Sequence, residues 1–329
     1  MADPELNRRL VAGGLAATGI VVLGSSALGA ARAARHHGAA ATTAVPSPTE
    51  AVTSRTTTPT AATPTVTPTA TPTVDTPRTA AQLTAKLDAY RRSRRGTFGV
   101  ALYDRRDRST FGYRSGWRNQ TLSTVKVLIM ATVLHRCQEQ GSSLTSTQVA
   151  QARAMITESD NDAANALLTW AGLANVQRVA KLYGLTSTAI QGGTTAGAAD
   201  WWGYSTTTAE DFLTLLNGVT WGDSVITTAN RDYLKSLMAQ VIPSQRWGVC
   251  VPPLPANLEW HTKNGWGSRS DGYRANSLGH ISGNGRNYTA VILTRAPYNS
   301  DYMVESDYAL DTVNGVSRIL YDAMAQPLR

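Results

Sequence analysis

Lysine is the scarcest charged residue in this chain of 329: positions 86, 126, 181, 235 and 263 hold all of it, and arginine supplies the rest of the basic residues. Cysteine is scarcer still, at 137 and 250 only. That excludes a disulfide-dense scaffold and leaves open whether the two bridge. The five histidines, at 36, 37, 135, 261 and 280, have no metal-ligand spacing and no cluster of cysteines or carboxylates beside them. No metal or other cofactor is expected. Aromatic side chains are missing from the first 80 residues, and all of them, the eight tryptophans included, lie between Tyr90 and Tyr321. Only the last 250 or so residues can build a core, so one folded domain with an appendage is the economical organisation.

Residues 1–9 are polar, with Arg8 and Arg9, and Leu10 to Ala30 runs without a charge. About twenty such residues can cross a bilayer. Small residues around Ala31 and Ala33 equally suit signal-peptide cleavage. Residues 1–37 therefore read as a signal peptide or a membrane anchor, length favouring the anchor, and either exports the C-terminal part of the chain. The folded part is expected outside the cell or held at the membrane, facing the cell wall. Residues 38–78 are rich in Thr, Pro and Ala, as in TPTVTPTATPTVDTP. Such a stretch favours extended polyproline II and suits a tether. The net charge of +8 suits anionic wall polymers or lipid head groups as partners, while Arg91, Arg92, Arg94 and Arg95 read as a solvated helix end. There is no nucleic-acid motif.

In the folded part, 79–329, Ala80 to Arg95 is amphipathic. TFGVALYD (97–104) and STFGYR (109–114) flank a polar turn as a hairpin. Ser123 to Glu139 is apolar on every side, as in a helix buried inside a domain. Further helices are expected at Ser146–Thr157, Asp160–Trp170, Asn175–Leu182 and Thr208–Leu216. Strands return at LEWHTKNGW, NSLGHIS and NYTAVILTR, and Ser306–Met324 closes as a helix. The fold class is α/β in the α+β sense: an antiparallel sheet flanked by helices, with an all-helical layer inserted.

Lys126 lies one helical turn after Ser123 inside the apolar run STVKVLIMATVL. Residues three apart on a helix share a face. A serine hydroxyl is a poor nucleophile until a base takes its proton, and burial, a helix N-terminus or a second cation lowers a lysine's pKa toward that task. Ser159-Asp160-Asn161 precedes an Ala- and Leu-rich run, as a capped helix does. Lys263-Asn264-Gly265, followed by Trp266, lies on an expected strand.

In that order, STVK, SDN and KNG resemble the three-motif signature of the serine β-lactamases and penicillin-binding proteins. STVKVLIMATVLHR, ITESDNDAANALLTWAG and YSTTTAEDF look like segments of class A β-lactamases, and the resemblance runs from about Thr97 to Met324. It implies a two-layer β-lactamase/transpeptidase-like fold with an acylation site between the layers. By that resemblance Ser123 is the nucleophile, Lys126 its base, and Ser159 the relay of a proton to the leaving nitrogen. Asn161, Lys263, Asn264, Gly265 and Trp266 contact the substrate, with the N–H groups of Ser123 and Trp266 as oxyanion hole. The expected substrate is a small-molecule β-lactam or a peptidoglycan-like amide, and the chain is expected to act as a monomer.

The sequence departs from the pattern at three places. The stretch between the first two motifs is short. Asn264 stands where a hydroxyl residue would bind a substrate carboxylate. No glutamate occurs between Ser159 and Thr206: the region where class A enzymes keep a deacylating carboxylate reads QGGTTAGAADWWGY, with Asp200 its only acid. Hydrolysis of an acyl-enzyme is therefore the weak step. Arg274 could bind a carboxylate, but is expected to be an exposed arginine. A catalytically silent wall-binding module is the alternative of another class; such a module has no reason to retain two lysines facing one serine. A chain beginning near Arg78 should be soluble and melt cooperatively in calorimetry, and aggregation or a broad transition would refute that boundary.

Overall fold

The computed structural model describes residues 76–329 apart from 223 and 252. The apolar segment of residues 10–30 and nearly all of the 38–78 stretch lie outside the described residues. Among those described, no helix is long and apolar enough to cross a membrane.

Helix α1 (Ala80–Ser93) starts at a reciprocal cap: the Thr79 hydroxyl accepts from the Gln82 amide while the Gln82 side chain accepts from Thr79. It buries Leu83 and Leu87. Its arginine-rich end is more than the solvated terminus that the sequence suggests. Arg91 donates to the Tyr113 hydroxyl at 3.0 Å, and Arg94 donates to the Tyr308 carbonyl at 2.9 Å with its guanidinium 4.0 Å from that tyrosine's ring. Long basic side chains of this kind cover apolar surface with their stems and pin two helices together at the tips.

Strands β1 (Thr97–Asp104) and β2 (Ser109–Tyr113) form the expected hairpin. β3 (Asn119–Gln120) pairs with β4 (Thr206–Thr207) as a separate two-stranded ladder. β5 (Glu259–Arg269), β6 (Gly272–Gly283) and β7 (Arg286–Arg295) come next as a meander. The main sheet has the order β2-β1-β7-β6-β5, and its neighbours are antiparallel. Because β1 pairs with β7 along its whole length, from Thr97 opposite Arg295 to Asp104 opposite Tyr288, the two ends of the domain share one sheet. The segment from β3 to residue 239 is an excursion from it, and this excursion is the inserted helical layer expected from the sequence.

That layer holds α2 (Lys126–Glu139), α3 (Ser146–Arg153), α4 (Asn161–Ala171), α5 (Leu173–Leu182), α6 (Ala209–Thr220) and α7 (Thr228–Ala239). α2 is its axis, with every residue from Lys126 to His135 buried. α7 has no counterpart among the helices expected from the sequence: Thr227 caps it, and Leu234, Leu237 and Met238 are its buried apolar residues, with Tyr233 partly buried beside them. On the opposite face of the sheet α1 packs with α8 (Tyr302–Ala323), whose Ala309, Val313, Val316 and Leu320 meet Phe98, Val100 and Ile292 in a second core. The folded part is tied at its ends, where the Arg329 N–H donates to the Arg78 carbonyl at 3.0 Å.

Cys137 lies on α2, Cys250 in the core beneath the other face of the sheet, and both are buried and free. Burial pushes the Cys250 thiol up to about 12, which keeps it unreactive. Two thiols should therefore titrate only after denaturation, and reductant should leave the melting temperature unchanged; a single disulfide in the denaturing titration would contradict this.

Candidate active site

Two local irregularities build the site. The expected helix at Ser123–Glu139 is divided: Leu122–Val125 forms a 3₁₀ turn, and α2 proper starts at Lys126. Leu122 takes a positive φ of 47°, costly for a branched side chain. Likewise the helix expected through Thr157 ends in a π turn, Ala154–Glu158, after which Ser159 sits left-handed at φ 60°. Asp160 then caps α4 by accepting from the Ala163 amide at 2.7 Å. Strained backbone thus brackets both serines, and the π turn aims Ser159 at the start of α2 instead of along its own helix.

Lys126 is completely buried there. Its ammonium donates to the Ser159 carbonyl at 2.6 Å, to the Asn161 side-chain oxygen at 2.8 Å and to the Ser159 hydroxyl at 3.3 Å. Those are all three of its protons; Ser123, one turn earlier and half-buried, is not among its partners. From the other side Lys263, also fully buried, donates to the same Ser159 hydroxyl at 3.0 Å and to the Asn264 carbonyl at 2.8 Å. Ser159 Oγ is therefore held between two amines. Burial pushes Lys126 well below the usual lysine range, the Lys263 charge pushes it further, and only Asp160 opposes. Burial alone brings Lys263 down to about 7. Lys263 thus exchanges its proton near neutral pH, and the lowering at Lys126 is in the direction that a general base requires.

Strand β5 carries the third motif, and its alternation decides what each residue does. Lys263 and Gly265 face the helical layer. A Cβ at Gly265 would come within 2.7 Å of the backbone nitrogens of both Ser123 and Thr124 and 2.9 Å of the Thr121 carbonyl. Only glycine lets the strand lie against the nucleophile's turn. Asn264 and Trp266 point the other way. The Asn264 amide donates to the Gln245 and Trp247 carbonyls at 2.8 and 2.9 Å, and the Trp266 ring packs edge-on against Trp247, 5.8 Å between centroids. The expected role of Asn264 as a substrate-binding amide does not fit this placement: it clamps the segment before β5. Trp266 can reach the cleft through its backbone, since β5 is an edge strand.

One further expectation changes, and Asp200 remains no match for the missing carboxylate. Arg274 is buried, not exposed, and grips Asp271 through two nitrogens at 2.5 and 2.7 Å, so it is not free for a ligand. Asp200 is exposed, with its carboxylate against Gly193. It does not reach Lys126.

What does reach Lys126 is a residue that sequence reasoning passes over. Trp202 is fully buried, its ring centroid lies 4.9 Å from the Lys126 ammonium, and its indole N–H donates to Asn165 at 2.7 Å. A second tryptophan at 201, in a segment otherwise rich in Gly, Ala and Thr, is the available signal.

Lys263 gives a pH signature. Its pKa falls from 10.5 to about 7 on folding. Between those values the unfolded chain binds the extra proton, so stability rises with pH, by up to about 1.4 kcal/mol per unit for one such group. Urea midpoints for the wild type should climb from pH 7 to 9 more steeply than those of Lys263→Met; parallel curves would contradict a depressed lysine.

A family model described as the beta-lactamase enzyme family matches residues 138–324, a span that includes Ser159 and Lys263 but begins after Lys126. No curated protein matches. Among solved structures, a class A beta-lactamase representative from Bacteroides cellulosilyticus is 19% identical over 75% of this chain and 99% of its own, with a TM-score of 0.64. A beta-lactamase from Burkholderia phymatum is 21% identical over 74% and 98%, with a TM-score of 0.61. A class A beta-lactamase from Mycobacterium abscessus is 19% identical over 73% and 98%, at 0.59. At such identities the likeness is one of fold.

Proposed function

The chain belongs to the beta-lactamase enzyme family, and from that membership we propose that it is an exported serine hydrolase acylated at Ser123 by β-lactams or peptidoglycan-like amides, with slow release of the acyl group. The observation that carries this reading is the Ser159 hydroxyl suspended between Lys126 and Lys263.

In this reading a neutral Lys126 frees a lone pair and accepts the Ser123 proton as Oγ adds to the substrate carbonyl carbon. The oxyanion is met by the N–H groups of Ser123 and Trp266, the electrostatic contribution that is usually largest in acyl transfer. Collapse breaks the C–N bond, and the proton returns to the departing nitrogen through Ser159. Lys263 holds positive potential beside that hydroxyl and the substrate carboxylate, and Asn161, at the mouth of α4, holds the substrate amide. Each of the two serines sits within one or two residues of the strained turn that aims it.

Deacylation lacks its counterpart. Among the described residues no carboxylate hydrogen-bonds Lys126; Asp160 is engaged as a helix cap, and Asp200 lies against Gly193. Losing a general base typically slows a step by about 10²–10⁴-fold. The resulting behaviour is that of a penicillin-binding protein more than that of a rapid β-lactamase. The N-terminal 37 residues serve export or anchoring and the Thr/Pro/Ala stretch the tether, placing the domain at the cell wall.

Intact-mass measurement with a penicillin at short and long times tests the reading. An adduct persisting for minutes is expected, absent in Ser123→Ala and formed much more slowly in Lys126→Ala. No adduct would favour a silent wall-binding module. Rapid multiple turnover that survives Asp200→Asn would show a competent deacylating base elsewhere.

A further inference from the structure

The indole of Trp202 is tied at both ends. Its backbone N–H donates to the Gly193 carbonyl at 2.9 Å and its own carbonyl accepts from the Ser205 hydroxyl at 2.7 Å, fixing the chain around it. Its ring N–H reaches Asn165, which lies one turn beyond Asn161 on α4. One face of α4 therefore presents Asn161 to Lys126 and Asn165 to Trp202. The ring closes the gap between them, 4.9 Å from the lysine ammonium and with no exposed surface. Trp201 backs it at 4.8 Å between centroids.

Hydrolysis of an ester at Ser123 needs a water in contact with a base. The water oxygen must add to the ester carbonyl carbon while its proton goes to that base; the bond from carbon to Ser123 Oγ then breaks, and Oγ takes a proton back. Neutral Lys126, the group best placed to accept, has a single lone pair left once Ser159 and Asn161 hold its two hydrogens, and the Trp202 ring lies against the same nitrogen. An aromatic face attracts an ammonium but offers a water no strong partner.

We propose that Trp202 is a positioning residue that preserves the acyl-enzyme, its indole filling the place beside Lys126 from which a hydrolytic water would be activated. This rests on acylation at Ser123 as proposed for the chain's function and adds to it a cause for persistence that the missing glutamate does not by itself supply. Asn165 is the second member of the device, because it sets the indole's orientation.

Trp202→Phe keeps an aromatic ring but removes the N–H and leaves the Asn165 oxygen beside a small polar void, a place a water can enter. Asn165→Ala keeps the tryptophan and releases its anchor, and as an alanine inside a helix it is the safer variant for folding. The experiment acylates the wild type and both variants with a penicillin and follows formation and loss of the adduct by intact mass, each protein first showing a cooperative melt. Release at least tenfold faster in Trp202→Phe, and several-fold faster in Asn165→Ala, with release quickening as pH rises through the range in which an amine loses its proton, is the expected result. A purely structural role would slow acylation and lower the melting temperature without speeding release. Folded variants that lose the adduct at the wild-type rate would overturn the role of Trp202 and leave acylation at Ser123 standing. A wild type that forms no adduct would overturn both.

Discussion

Two amines that hydrogen-bond no carboxylate among the described residues, buried on either side of one hydroxyl, set the terms for this molecule. A buried ammonium costs several kcal/mol unless it is fully hydrogen-bonded or gives up its proton. Lys126 and Lys263 do some of each: their protons find the carbonyls of Ser159 and Asn264, and their pKa values fall. The backbone carbonyls must then be aimed inward. That requirement accounts for the π turn, for the left-handed Ser159, and for the cap at Asp160 that restarts the helix at once.

The second constraint is proximity. The 3₁₀ turn bearing Ser123 belongs to the inserted layer and the edge strand bearing Lys263 to the main sheet, and they meet at Gly265, where no side chain separates one backbone from another. On that one strand the lysine faces the chemistry, while its neighbours on the reverse face, Asn264 and Trp266, hold the preceding segment in place. Reactive group and scaffold alternate with the pleat.

The fold is readable from the sequence because its signals are local: caps, alternation and an apolar helix at α2. The cluster of Lys126, Lys263, Ser159 and Asn161 is readable for a different reason, since isolated lysines in apolar surroundings require an explanation. Where the reading fails, the missing information is directional. A sequence does not say that Asn264 lies on the reverse face of its strand, nor that Arg274 is buried and reaches out to an exposed Asp271 three residues away. The π turn has no sequence signature of its own, because it differs from an α-helix only in the partner each amide chooses. Trp202 is hidden because a loop tryptophan looks like packing until the lysine beneath it is seen. α7 is hidden because its buried apolar residues, Leu234, Leu237 and Met238, are few and crowded toward one end.

Residues 78 and 329 are hydrogen-bonded neighbours beside the α1–α8 pair, across the sheet from Ser159 and Lys126. A domain whose entry and exit share one spot behaves as a pendant: other sequences can be joined at either end, or the ends linked and the ring reopened in a surface loop, with little disturbance to the packed interior. The same arrangement places residues 78 and 329 behind the sheet, so that a molecule approaching Ser159 and Lys126 from the front does not meet them.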